Sequence, residues 1–361
     1  MAQVPLHEHH VSLGAKFGPF GAWEMPIEYA TGTLVEHNAV RNNVGVFDVS
    51  HMGKVRVLGH GAKDYVNSLF TNDLNRIGAG QAQYSMLCNE TGGIIDDLIV
   101  YLVSEDEVRI IPNASNAHSV VEVLREYAPT SVIVEDLHLL QGIIAVQGPK
   151  SAELIALLDL PSSMDYMQFQ DVIWQNQPVS VCRTGYTGEH GYELVAANEA
   201  IISIWEQLLN NGKAFGLVAC GLGARDTLRT EMGYVLHGQD ISESISPIQA
   251  RTSWAVGWSK PVFVGKSALD AQKTVGPPNL AWGLLALDRG IPRAHMSVTN
   301  GDGDVVGETT SGTFSPTLQK GIALALLDTA YGEGDVLNVD VRGRSLRVEV
   351  VRPPFVPSSP K

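Results

Sequence analysis

The sequence predicts an α+β fold that ends in a small antiparallel β-barrel or sandwich. Strand-like runs come in groups with helices interspersed, without the regular strand–helix alternation of a parallel sheet. Beyond about residue 279 the sequence pattern changes to short strand-like runs separated by turn sequences. These turns are Asn300-Gly301-Asp302-Gly303, Tyr331-Gly332-Glu333-Gly334 and Arg342-Gly343. Closely spaced turn signals of this kind are typical of hairpins. A chain of 361 residues also has room for two or three domains.

The first group of predicted elements extends from about residue 53 to residue 147. The alternation of Lys54, Val55, Arg56 and Val57 predicts a half-buried strand, and apolar spacing over 62–70 predicts a helix. A second helix is expected over 116–127. Further strands are expected over 83–88, 97–103, 107–112, 131–135 and 142–147.

A second group follows in the same style. Strands are expected over 178–183 and 191–196, and Asn198 is a candidate N-cap for a helix that ends before Gly212. Residues 224–235 also have helical character. The stretch 260–279 holds three prolines and is interpreted as a linker.

Composition narrows the class of protein. The chain is 44% hydrophobic and 18% charged, which is a folding composition, and its net charge is -14. That charge disfavours nucleic acid and acidic membranes, so an acidic partner would need a local basic patch. We expect no signal peptide, because residues 1–10 have neither a basic start nor an apolar run. We also expect no membrane span, because no window approaches roughly 18 unbroken apolar residues. Cys88, Cys182 and Cys220 are too scattered for a disulfide framework or zinc site, and we expect buried thiols in a reducing compartment.

Two adjacent carboxylates form the first candidate site. Asp96 and Asp97 follow a glycine pair and interrupt an apolar run. Neighbours in a strand point to opposite faces, so one Asp can face solvent while the other enters a pocket. Because Asp is common in turns, turn chemistry is the alternative interpretation.

Two glycine-containing stretches are further candidates. In 183–193, Tyr186 offers a stacking face, and Glu193 can accept paired hydrogen bonds from an aminopyrimidine; a hairpin loop with a solvated Glu is the alternative. In 221–229, a helix beginning near Gly223 would present N–H groups and Arg225 to an anion, whereas the alternative is a tight turn with an Arg ion pair.

The histidines at 7, 9 and 10 lack partners with metal-ligand spacing. We therefore interpret this stretch as an exposed terminal segment rather than a metal site.

Taken together, the motifs resemble the aminomethyltransferase (T-protein) family of the glycine cleavage system. The resemblance covers essentially the whole chain and consists of an ordered series of segments. These are Leu13-Gly14-Ala15-Lys16, Trp23-Glu24-Met25-Pro26, 44–53, Thr71-Asn72-Asp73, 84–90, 92–98, Val146-Gln147-Gly148-Pro149, 185–189, Gly223-Ala224-Arg225-Asp226, 310–318 and Pro354-Phe355.

This resemblance implies three domains around a central channel. We expect domain 1, which binds folate, in 1–52 plus 138–245, domain 2, which carries Asp97, in 53–137 plus 246–274, and a C-terminal barrel in 275–361. The implied reaction moves a one-carbon unit from aminomethyl-dihydrolipoyl H-protein to tetrahydrofolate. Its products are 5,10-methylenetetrahydrofolate, ammonia and dihydrolipoyl H-protein.

The resemblance also assigns roles to residues. Asp97 is the implied catalytic residue, which orients the folate amine, accepts a proton or stabilises iminium charge. Arg293 is implied to face the lipoyl carrier. No metal is expected, and the cytoplasm is the expected location. The residues implied to bind or support folate are Glu193, Tyr84, Asn113, Tyr186, Arg225 and Met52.

Several departures and rivals stay open. The Gly-Trp order before Glu24 is shifted, His237 replaces a frequent aromatic, and the tail 357–361 lacks an arginine that some members carry. The rivals are a folate-dependent demethylase, the folate half of a dimethylglycine or sarcosine dehydrogenase, a non-catalytic folate-binding accessory protein, and a metal hydrolase built on the N-terminal histidines. No flavin fingerprint or Lys-Gly-Cys motif supports the second or third of these.

Overall fold

The structure is a computed structural model that describes residues 1–358 and residue 360. A six-stranded sheet, in the order β11-β12-β13-β10-β4-β14, forms the first layer and is antiparallel except at the β4–β14 edge. Its strands are β4 (Val44–Asp48), β10 (Gln141–Gln147), β11 (Phe169–Trp174), β12 (Gln177–Cys182), β13 (Gly191–Ala197) and β14 (Leu217–Ala219). Helices α5 (Ser151–Ala156) and α6 (Asn198–Asn211) cover one face, where Trp205 and Tyr192 lie fully buried.

A five-stranded antiparallel sheet, in the order β6-β7-β8-β5-β9, forms the second layer. Its strands are β5 (Val55–Leu58), β6 (Gln81–Cys88), β7 (Ile94–Ser104), β8 (Glu107–Ile111) and β9 (Ile133–Asp136). The apolar stripes of α3 (Ala62–Leu69) and α4 (Ala117–Glu126) pack on it, with Val66, Val120 and Leu124 fully buried. Helices of this length gain most of their stability from such packing.

The C-terminal strands close into an antiparallel barrel in the order β15-β18-β17-β16-β19-β20. Closure removes the unpaired edges that a sandwich would leave. The interior is filled by alternate apolar residues such as Leu284, Val339 and Val348. The strands are β15 (Asn279–Ala286), β16 (Ser297–Thr299), β17 (Val305–Ser315), β18 (Lys320–Asp328), β19 (Val336–Asp340) and β20 (Ser345–Val351).

The remaining elements join these layers. A small sheet contains β1 (Ala2–Gln3), β2 (Lys16–Phe20) and β3 (Trp23–Glu28). The remaining α-helices are α1 (His7–Ser12), α2 (Thr33–Asn42), α7 (Leu222–Met232) and α8 (Lys266–Val275), and short 3₁₀ turns lie at Leu74–Arg76, Gly212–Phe215 and Ser253–Ala255. The predicted α+β class and C-terminal barrel are confirmed, whereas the predicted domain boundaries stay a prediction.

Three local predictions are wrong. The stretch interpreted as a linker holds α8, which Gly265 and Gly276 bracket. Asn198 is not a cap: the side chain makes no capping bond, and its amide donates to the Leu139 carbonyl instead. The N-terminal histidines lie on α1, where His10 is fully buried between Tyr29 and Asp48, 2.9 Å from an oxygen of each. These partners are distant in sequence, so composition alone gave no sign of them.

Candidate functional site

A cavity of about 750 Å³ lies where the two large sheets, α7 and the barrel meet. This volume is in the range of small-molecule sites. Strands β6 and β7 contribute Tyr84 and Asp97, and β13 contributes Glu193. The barrel adds Trp282 and Leu324 to the opposite wall.

Asp97 lies in this cavity within a network of hydrogen bonds. Its Oδ2 accepts from the Tyr84 hydroxyl at 3.0 Å, and its Oδ1 accepts from the Asn113 amide at 2.8 Å. The preceding Asp96 is fully buried and accepts from the Asn113 backbone N–H and from the Asn113 and Asn116 amides at 2.7–2.9 Å. The alternation of the strand is as predicted, but the expectation that one Asp faces solvent is wrong. Asn113 and Asn116 cover Asp96 and supply the donors that its burial requires.

Electrostatics couples the two carboxyls. Burial, together with the neighbouring Asp97, raises the pKa of Asp96 to about 8. Burial also raises the pKa of Asp97, although the Tyr84 hydrogen bond opposes the shift. The pair therefore does not carry two full charges near neutral pH. A carboxyl whose pKa is raised toward neutrality is suited to take and return a proton.

The turn between β6 and β7 fixes where the carboxyls lie. The Asn89 Oδ1 accepts from the backbone N–H groups of Thr91 and Gly93 at 3.1 and 2.9 Å, and the Asn89 amide donates to the Glu243 carbonyl at 2.9 Å. A Cβ on Gly93 would overlap that carbonyl group. The hairpin is thus held against the 242–245 loop at its turn.

Glu193 faces the cavity from the six-stranded sheet. One carboxylate oxygen accepts from the Thr184 hydroxyl at 2.6 Å, and Tyr101 lies 3.4 Å from the same hydroxyl. The other oxygen has no hydrogen-bond partner among the described residues. A half-satisfied carboxylate in a cavity wall can accept hydrogen bonds from a ligand with paired N–H groups.

Arg225 and Tyr186 form a stacked pair in the cavity wall. The Arg225 guanidinium carbon lies 4.6 Å from the centre of the Tyr186 ring. The Tyr186 hydroxyl donates to the Val235 carbonyl, which fixes the ring. Arg225 Nη1 is buried without a protein partner within the part of the chain that the structure describes. Because Arg225 lies in the first turn of α7, both the helix and the side chain favour an anionic or electron-rich group here.

The structure brings together all but one of the predicted site residues. Met52 and Asn113 line the cavity with Asp97, Glu193, Tyr84, Tyr186 and Arg225. Arg293 does not: it is exposed on the barrel, where its only side-chain contact among the described residues is a 3.5 Å hydrogen bond to the Gly312 carbonyl. His237, the departure noted above, lies with Nε2 3.0 Å from the Ile94 carbonyl oxygen.

Other wall residues were not found from the sequence. Burial and the charge of Arg225 lower the pKa of His51 to about 3, so this wall histidine is neutral. Trp254 stacks on Tyr84 with ring centres 5.2 Å apart. Arg251 and Arg352 flank Trp282. None of these belongs to a motif with a chemical signature, and only the fold brings them to one place.

The described residues contain neither a metal-binding cluster nor a membrane-spanning helix. Outside the two undescribed positions, no group of three or more His, Cys, Asp or Glu side chains is arranged to hold a metal ion. Among the same residues, no helix is both long and apolar enough to cross a bilayer.

Comparisons with known proteins find relatives along nearly the whole chain. Residues 6–260 match the GCVT N-terminal domain, and residues 282–357 match the glycine cleavage T-protein C-terminal barrel domain. Aminomethyltransferases of Parafrankia sp. (strain EAN1pec) and Mycobacterium avium (strain 104) are each 56% identical, covering 100% and 98% of this chain and 99% and 96% of their own. The crystal structure of glycine cleavage system aminomethyltransferase T from Bartonella henselae superposes with a TM-score of 0.93 at 34% identity, covering 98% of both chains.

Proposed function

The chain belongs to the glycine cleavage T-protein family, and we propose that its central cavity is where a one-carbon unit passes from a lipoyl carrier to tetrahydrofolate. It is an aminomethyltransferase of the glycine cleavage system and a tetrahydrofolate-dependent transferase. No observation favours a demethylase or an accessory protein. The observation that supports the proposed site best is the Asp97 carboxyl, held by Tyr84 and Asn113 on the wall of a cavity large enough for a folate.

In the proposed reaction, the aminomethyl carbon loses its bonds to sulfur and to the amine and gains bonds to two folate nitrogens. The folate nitrogens N5 and N10 form bonds to this carbon, and its bonds to the lipoyl sulfur and to the amine break. The two protons lost from N5 and N10 balance the ammonia and the free dihydrolipoyl thiol. The carbon passes through an electron-poor, iminium-like stage, which a nearby carboxylate stabilises.

Asp97 is the residue proposed to act on the reacting atoms. Its raised pKa, caused by burial, suits acceptance of a proton from a folate nitrogen. The hydrogen bonds from Tyr84 and Asn113 fix the orientation of the carboxyl. A carboxyl fixed in this way would also hold the folate nitrogens beside the aminomethyl carbon, and that positioning would itself raise the rate. Asn113 also bonds Asp96, so it is a positioning residue for the pair.

The other wall residues are proposed to bind the pterin. Glu193 would accept from the aminopyrimidine edge, with one oxygen already oriented by Thr184. Tyr186, Arg225 and Met52 would line the pocket around it.

We further propose the division 1–52 plus 138–245, 53–137 plus 246–274, and 275–361 for the three domains.

The carrier is proposed to be the H-protein of the glycine cleavage system, bound transiently. Arg293 would contact it from the exposed surface of the barrel, where a cation offsets the net charge of -14. We propose the cytoplasm as the location, in keeping with three buried free thiols.

The direct test mixes the protein with aminomethyl-loaded H-protein and tetrahydrofolate. We expect ammonia and 5,10-methylenetetrahydrofolate in equal amounts. Asp97→Asn keeps the shape of the side chain but removes its charge, so we expect a loss of about 100-fold or more in rate with folding retained. Asp302→Asn, in an exposed barrel turn, is the matched control. Wild-type protein that releases no ammonia would refute the function, and full activity of Asp97→Asn would refute the assignment.

A further inference from the structure

A second cavity, of about 400 Å³, lies between the five-stranded and six-stranded sheets, and we call it the inter-sheet cavity. Tyr101, Ile111 and Val195 line both this cavity and the central one, so these side chains form the partition between the two. At its other end the inter-sheet cavity is bordered by the exposed residues Asp171 and Ile173. Its volume is within the range of small-molecule sites.

Three cations from the five-stranded sheet line the inter-sheet cavity. Val55 and Val57 of β5 are buried beneath α3 and α4, so the alternation of the chain turns Lys54 and Arg56 to the opposite face, toward the six-stranded sheet. The strand register places Arg109 of β8 directly opposite Arg56. Among the described residues that line the cavity, the only anionic side chain is Asp171.

Lys54 is buried with fewer acceptors than an ammonium can use. Its side chain belongs to a residue that is 1% exposed, and Nζ donates to the Ser50 carbonyl at 2.7 Å and to no other described residue. An ammonium has three N–H donors. Burial lowers the pKa of Lys54 to about 7, although Asp48 and Asp136 oppose the shift. An anion in the cavity would supply the acceptors that this burial lacks.

Arg56 also has a donor to spare. Its Nε is buried without a hydrogen-bond partner in the part of the chain that the structure describes. The carboxylates of Glu107 and Glu135 lie 3.6 and 3.5 Å away, which is longer than an N–H···O hydrogen bond. Arg109, in contrast, is held by Asp171 through two bonds of 2.8 and 2.9 Å and by Glu107 at 3.0 Å. The charge of Arg109 is therefore already compensated.

The rest of the cavity wall is mostly apolar. A strongly hydrated ion such as phosphate would lose its water against such a wall without gaining enough partners. A carboxylate attached to an apolar body would instead place its charge at the cations and its body against the apolar side chains. These side chains are Val55, Ile111, Leu137, Phe169, Val172, Ile173, Val179 and Val195.

We propose that the inter-sheet cavity binds a small carboxylate with an apolar body, and that Lys54 and Arg56 hold the carboxylate between them. Residues two positions apart in a strand lie about 7 Å from each other on the same face, a separation that one carboxylate can bridge. The site lies outside the central cavity and does not depend on the proposed transfer reaction.

The test compares two probes of the same shape, benzoate and the uncharged benzamide, by calorimetric titration. We expect benzoate to bind about tenfold more tightly, as for a charge-assisted hydrogen bond. Lys54→Met keeps the length of the side chain and should remove most of this preference while leaving benzamide affinity unchanged. Arg56→Gln should weaken benzoate binding about threefold, since the Arg56 side chain is 39% exposed.

Lys213→Met is the matched control, because Lys213 is exposed and lines neither cavity. Lys54→Met is expected to fold with a Tm at least equal to that of wild type, because methionine replaces a buried ammonium. If it does not fold, the benzoate affinity of Arg56→Gln decides the question.

Three results would overturn the proposal. Equal affinities of the wild-type protein for benzoate and benzamide would show that no cation reads the charge. Benzoate affinity that is unchanged in both Lys54→Met and Arg56→Gln would place the binding elsewhere, for example in the central cavity. Inorganic phosphate that binds in the same place as tightly as benzoate would show that the apolar wall contributes nothing.

Discussion

Two carboxylates in one cavity have different surroundings, and those surroundings separate their proposed roles. Asp97 accepts from Tyr84 and Asn113 through both oxygens, and burial raises its pKa although these hydrogen bonds oppose the shift. Glu193 has one oxygen bonded to Thr184 and one without a partner among the described residues. The first arrangement suits proton transfer and charge stabilisation, and the second suits recognition of a ligand edge.

Replacing Glu193 by Gln tests recognition without changing the size of the side chain. The amide keeps the bond from Thr184 at one end but loses the charge and presents a donor to the pterin. We expect tetrahydrofolate affinity to fall about tenfold or more, as for the loss of a charge-assisted hydrogen bond. Calorimetry measures the affinity, and Glu199→Gln on the exposed surface of α6 is the control. An unchanged affinity would rule out the pterin assignment.

At the scale of elements, the β6–β7 hairpin carries the reactive carboxyl. Its turn is tied to the 242–245 loop by Asn89 and by the Ile94 backbone N–H, which lies 2.9 Å from the Ser242 carbonyl. A shift at the turn would pass along paired strands to Asp97, four residues from Gly93. The hairpin is therefore held at its turn by the 242–245 loop and along its length by the hydrogen bonds between β6 and β7.

Gly93→Ala is expected to disturb this element. The added Cβ would overlap the Glu243 carbonyl, so backbone must move, at a cost of about 1–3 kcal/mol. We expect a lower urea midpoint and a loss of about tenfold in turnover. In contrast, Gly301→Ala places its Cβ in open space and should change neither quantity. Equal stability of the two variants would show that the hairpin tolerates the shift.

Helices and strands can be predicted where their apolar periodicity and turn signals lie within the element itself. The apolar run of β10 was expected over 142–147 and lies at Gln141–Gln147, since period and turn signals suffice there. Helix α8 was missed because the prolines around it outweighed its own spacing, although Gly265 and Gly276 bracket it. The burial of Asp96 depends on Asn113 and Asn116 from another part of the chain. Contacts of that kind are not contained in the periodicity of one strand.

At the scale of the whole molecule, Glu231 on α7 connects the sheets to the barrel. Its fully buried carboxylate accepts from Arg41 at 2.7 Å and lies 3.4 Å from His37 Nε2, and both partners belong to α2. On the barrel side it accepts from Ser315 at 2.5 Å and from the Thr317 hydroxyl at 3.0 Å. The same helix carries Arg225 into the cavity, so this junction also sets one wall of the site.

The buried Glu231 carboxylate makes the stability of the protein depend on pH. Burial opposes ionisation of Glu231, but His37, Ser315 and Arg41 outweigh it and lower the pKa to about 2, from a usual 4.5. A group with a depressed folded-state pKa contributes stability fully above the unfolded value, and that contribution is lost as the pH falls toward the folded value. The contribution is at most about 3 kcal/mol, and the window lies between about pH 4.5 and pH 2.

Glu231→Gln should therefore lower Tm at neutral pH, because Arg41 loses a buried partner. It should also flatten the fall of Tm between about pH 4.5 and the lowest pH at which the protein still folds, since glutamine does not titrate. Calorimetric melts at a series of pH values measure both effects. Glu243→Gln, an exposed residue whose carboxylate makes no hydrogen bond to the described residues, should keep the wild-type profile. If the Tm of Glu231→Gln falls with pH as steeply as that of wild type, the Glu231 carboxyl does not contribute to the acid sensitivity of the protein.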